Sequence, residues 1–152
     1  MKGHRGKIVC RDRARQLVDF SKMVFNRNAT PTDIDGFLEL GNKFFIFFDL
    51  KHEVAEKING GQKLAYERLT RAIHNPKNNK YCITLIAKHS TPTVTDIEAD
   101  KCMVTDCYFD GAWCDVTTEG INLKDYIDRF ISQFPNNTAQ PSKTLNELLQ
   151  KI

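Results

Sequence analysis

The chain carries no apolar run of membrane-spanning length. Its longest, Phe44 to Phe48, falls far short of the roughly twenty residues that a bilayer crossing requires. No apolar run of signal-peptide length follows the basic start Met1-Lys2-Gly3-His4-Arg5-Gly6-Lys7, so the expectation is a cytoplasmic protein with no membrane partner. Paired Cys-x-x-Cys spacing is also missing. The five cysteines, at 10, 82, 102, 107 and 114, are odd in number, which fits reduced thiols better than a disulfide framework or a zinc site. Repeats and low-complexity tracts are absent, which excludes a solenoid and gives no reason to expect disorder. Charge of one sign is scarcely in excess. With 22 Lys and Arg against 19 Asp and Glu, the net charge of +3 permits a nucleic-acid partner without establishing one.

At 152 residues, 41% hydrophobic and 27% charged, the composition is that of one soluble globular domain. Residues from about 8 to 26 read as a helix, with Leu17, Phe20 and Val24 on one face and Arg15, Asp19 and Lys22 on another. Asn26 to Pro31 reads as a loop. Two strands follow, Thr32 to Leu40 and Lys43 to Lys51, joined by Gly41-Asn42, residues suited to the positive backbone angles of a tight hairpin. The apolar run inside the second marks a strand covered on both faces. A helix runs from Gln62 to Ile73 with Leu64, Leu69 and Ile73 as core candidates, stopped by His74-Asn75-Pro76. Strands Tyr81 to Ala87, Cys102 to Phe109 and Ala112 to Val116 then complete a mixed sheet, and Leu123 to Phe134 makes another helix. Trp113 reads as core filling beside that last helix rather than as a base-stacking platform. The expected fold is α/β, a central mixed sheet flanked by helices. Residues 1–135 form the domain, and 136–152 form a linker and an amphipathic helix with the stripe Leu145, Leu148, Leu149 and Ile152.

The chemistry concentrates between Asp33 and Lys51. If the hairpin turns at Gly41-Asn42, opposed residues have numbers summing to about 83 or 84, which sets Asp35 opposite Phe48 or Asp49. Alternation sends Asp49 and Lys51 to one face. Two carboxylates held together repel unless a cation or a proton lies between them, and a nearby lysine can orient water and stabilise developing negative charge. The same residues also fit a salt-bridged strand end, with Asp33 and Asp35 at a loop entrance. His52 alternates away from this face.

Pro31-Thr32-Asp33-Ile34-Asp35-Gly36, a hairpin, then Phe48-Asp49-Leu50-Lys51 resembles the signature of the PD-(D/E)XK nucleases. Gln62-Lys63-Leu64-Ala65-Tyr66 is similar to the Gln-x-x-x-Tyr helix motif of their RecB-like branch. The resemblance covers residues 31–66. It implies a restriction-endonuclease-like core and a metal-dependent nuclease hydrolysing DNA phosphodiester bonds. Asp35 and Asp49 would bind Mg2+ or Mn2+, with Asp33 and Asp19 as further ligands. Lys51 would assist the attacking water, and Gln62 would join the catalytic set. Tyr66, Lys63 and Arg68 would contact nucleic acid. The expected partners are DNA and, through the C-terminal helix, a second copy or a helicase-type protein. The compact size suits a phage or mobile-element enzyme. The alternative is a catalytically inactive protein of the same fold that binds nucleic acid or a protein partner. The chain departs from the family in showing two strands rather than three before the second helix, unless Met23 to Arg27 or Val54 to Ile58 supplies the third.

Overall fold

In the computed structural model the described residues are 19–20, 22–24, 31–54 and 58–134. The chain divides into two units, Met1–Asp33 and Ile34–Ile152. In the first unit, most of the helix expected over 8–26 lies outside the described residues. Those that are described are not helical, and the Met23 N–H donates to the Phe20 carbonyl at 2.9 Å. The linker and amphipathic helix expected at 136–152 also lie outside the described residues.

The second unit is a five-stranded mixed sheet in the order β1-β2-β3-β4-β5: β1 Gly36–Leu40, β2 Phe44–His52, β3 Tyr81–His89, β4 Met103–Phe109 and β5 Ala112–Asp115. Only β2 and β3 are parallel, because helix α1, Gly60–Ile73, carries the chain back between them; the other pairs are antiparallel. Helix α2, Leu123–Ser132, follows β5. Among the described residues neither Met23–Val24 nor Val54 and Ile58 is a strand, so no third strand precedes α1 there.

The core lies on both faces of the sheet. On one, Ile46, Ile83, Leu85, Val104, Cys107 and Phe109 pack with Tyr126, Ile127 and Phe130 of α2. On the other, Phe47 and Cys82 pack with Tyr66 of α1. The inward stripe of α1 is Gln62, Tyr66 and Thr70, not the expected Leu64, which is 44% exposed. That polar stripe is stable against the sheet because it has partners there. Thr70 and Thr84, both buried, share a hydroxyl–hydroxyl hydrogen bond of 2.8 Å.

β1 begins at Gly36 rather than at the expected Thr32. Aspartate is a poor strand former, and the Asp35 carboxylate accepts the Leu50 N–H at 2.6 Å, where a continuing strand would offer a carbonyl. At Gly36 the Phe48 ring covers the backbone so closely that an added Cβ would sit 1.9 Å from it. Glycine beside Asp35 therefore lets the ring cover the strand end. No helix among the described residues is long and apolar enough to cross a membrane.

Candidate functional site

The β1–β2 register pairs Gly36 with Phe48 and Leu40 with Phe44, a sum of 84, so Asp35, one step before the strand, falls opposite Asp49. The loop Gly41-Asn42-Lys43 fixes that register, with Gly41 at φ +60° and Asn42 at φ +54°. Strand alternation then brings Lys51 beside Asp49, with Nζ 2.8 Å from Oδ2. Gln62 enters from the first turn of α1, its Oε1 3.5 Å from the same Nζ. That turn is held by Asn59, whose side-chain oxygen accepts the Gln62 N–H at 2.8 Å. The hairpin and the crossover helix thus assemble an acid pair, a lysine and an amide at one end of β2.

Asp49 is only 2% exposed. Burial pushes its carboxyl up from 3.8 to about 6, a hydrogen bond with Asp35 adds to the rise, and Lys51 pulls against it. The result is a carboxyl that exchanges its proton just below neutrality beside a fixed ammonium group.

The expected magnesium or manganese site is not formed. Among the described residues no group of three or more His, Cys, Asp and Glu side chains is placed to hold a metal ion. The donor set explains why. The Lys51 ammonium lies against Asp49 where a cation would bind, and the Asp35 carboxylate is engaged by the Leu50 N–H. Among the described residues neither Asp33 nor Asp19 belongs to such a group. This corrects the expectation of a Mg-dependent phosphodiesterase, with Asp35, Asp49, Asp33 and Asp19 as ligands and Lys51 and Gln62 as its catalytic partners.

The residues expected at nucleic acid separate. Lys63 and Arg68 are exposed on the outward half of α1, whereas Tyr66 is 1% exposed and beyond the reach of any polymer. Trp113 packs on the α1 face rather than beside α2. Its Nε1 donates to Glu67 at 2.7 Å, and Lys63 Nζ lies 5.4 Å from its ring centroid. Sequence reasoning missed this clasp, since Glu67 and Trp113 are 46 residues apart. Thr70 had a signal, because it continues the four-residue spacing of Gln62 and Tyr66. His52 turns from the site and meets His89 edge to face, ring centroids 5.4 Å apart. Cys82, Cys102, Cys107 and Cys114 are free thiols; Cys10 lies outside the described residues.

Against models of known protein families, curated proteins and solved structures, the chain has no match.

Proposed function

We propose that the chain has a restriction-endonuclease-like core that binds nucleic acid through the outward face of α1 and the loop after it. In this reading the acid–lysine cluster shapes the scaffold. The fold assignment is supported by the hairpin, the helical crossover to a parallel strand, Asp49-x-Lys51 at the end of β2, and Gln62 and Tyr66 on the crossover helix. The observation that carries the binding reading is charge. Residues 60–80 hold Lys63, Arg68, Arg71, Lys77 and Lys80 against the single acid Glu67, a surplus of four that exceeds the +3 of the whole chain. Lys63, Arg68, Arg71 and Lys77 are exposed. Arg71 is also positioned: its Nε donates to the Tyr108 hydroxyl at 2.6 Å, which leaves the outer guanidinium nitrogens to face a phosphate. The spacing suits backbone contacts, which give affinity and steep salt dependence but little sequence discrimination.

The expected result is DNA binding whose logarithmic affinity falls linearly with the logarithm of salt concentration. In the double variant Lys63→Glu, Arg68→Glu the slope should shrink by about 0.9 for each duplex phosphate that is no longer neutralised. Fluorescence anisotropy across a salt series measures it. Affinity that ignores salt, or a variant with the wild-type slope, contradicts this placement of the interface.

A further inference from the structure

We propose that Cys107 and Cys114 form a reversible cross-strand disulfide that stitches edge strand β5 to β4 when the folded chain meets a small-molecule disulfide such as oxidised glutathione. The two residues are direct partners in the antiparallel β4–β5 register, between Asp106–Asp115 and Tyr108–Trp113. Directly opposed residues of such a pair lie about 4.5–5.5 Å apart at Cα with side chains on the same face. That separation falls inside the roughly 4.4–6.8 Å span of a disulfide. Both side chains belong to the α2 face of the sheet: Cys107 is fully buried in the main core and Cys114 packs at its margin, half-buried. One thiol is therefore open to a reagent, and its partner waits beneath.

The exchange proceeds in two steps. The Cys114 thiolate attacks one sulfur of oxidised glutathione, forming a mixed disulfide and expelling one glutathione thiolate. The Cys107 sulfur then attacks Cys114, its proton departing, and expels the second glutathione. The two protein thiols lose two protons and two electrons, and oxidised glutathione becomes two molecules of reduced glutathione. Burial pushes the Cys107 thiol up to about 12, which makes the second step the slow one. The Tyr126 hydroxyl, donating to Cys107 Sγ at 3.4 Å, supports the thiolate as it forms.

The bond closes only a short loop, so its effect is local. Among the described residues β5, of four residues, pairs on one side alone, and it carries Trp113, which engages Lys63 and Glu67 of α1. Stitching β5 to β4 fixes that clasp.

The test incubates the folded full-length chain with oxidised glutathione, blocks remaining thiols with an alkylating agent and maps the products by mass spectrometry. Chymotrypsin, cutting at Phe109, separates the two cysteines. The expected product is a Cys107–Cys114 linked peptide pair that dithiothreitol dissolves. Cys82 and Cys102 should be alkylated only after unfolding. In Cys107→Ala the reaction should stop at glutathione on Cys114. A wild-type chain that accumulates the glutathione adduct on Cys114, links either cysteine elsewhere, or loses no thiol overturns the proposal.

Discussion

Asp49→Asn is expected to stabilise the protein by about 3 kcal/mol at neutral pH and to leave it unchanged near pH 4. The sign follows from the direction of the shift. The Asp49 carboxyl titrates at about 6 in the folded chain against an ordinary 3.8, so the folded state holds its proton more tightly than the unfolded state does. The stability this gives is complete below the unfolded value and is lost as pH rises through about 6. Asparagine imitates the protonated form at every pH. The difference in unfolding free energy between variant and wild type, measured by urea denaturation from pH 4 to 8, should therefore be near zero at the acid end and grow across the window. A difference that is flat, or that favours wild type at neutrality, would mean that Asp49 is ionised at little cost.

Lys51→Ala is expected to act in the opposite direction, and its cost should itself depend on pH. Removing one partner of a buried ion pair commonly costs roughly 3–5 kcal/mol, because the other charge is left unpaired. Here Asp49 has an escape: it takes up a proton. With the folded carboxyl at about 6, proton uptake caps the electrostatic cost at about 1 kcal/mol near pH 7 and about 3 kcal/mol near pH 8. Near pH 5 the cost should almost vanish. The same denaturation series checks it, and a cost equal at pH 5 and pH 8 would assign the loss to packing of the lysine stem instead of its charge.

The site was legible where one local rule governs each residue. A glycine and an asparagine able to take positive φ set the hairpin, the hairpin set the register, and the register brought Asp35 to Asp49; alternation alone then carried Lys51 to the same face. Strands β2 to β5 and helix α2 were likewise visible in apolar runs, alternation and turn residues. On α1 apolar periodicity found Leu69 and Ile73, which pack at the margin of the core, but it selected Leu64 and passed over Gln62 and Thr70, to which the sheet offers polar partners at Lys51 and Thr84. Nor did the acid pair reveal its counterion. Two carboxylates side by side require positive charge or a proton, and composition does not say which. The placement of Lys51 Nζ against Asp49 puts a lysine in the role expected for magnesium, and burial raises the affinity of that carboxyl for a proton. Hairpin register and alternation carried the geometry, whereas the cofactor implied by the motif was incorrect.

In this reading Lys51 supplies the positive charge at the acid pair, and the protein holds nucleic acid without cutting it. The most direct measurement incubates supercoiled plasmid with the full chain in magnesium and in EDTA, reading retardation and strand integrity on one gel. Salt-sensitive retardation is expected in both, with the supercoiled form intact. Magnesium-dependent nicking or linearisation that disappears in Lys51→Ala would contradict it.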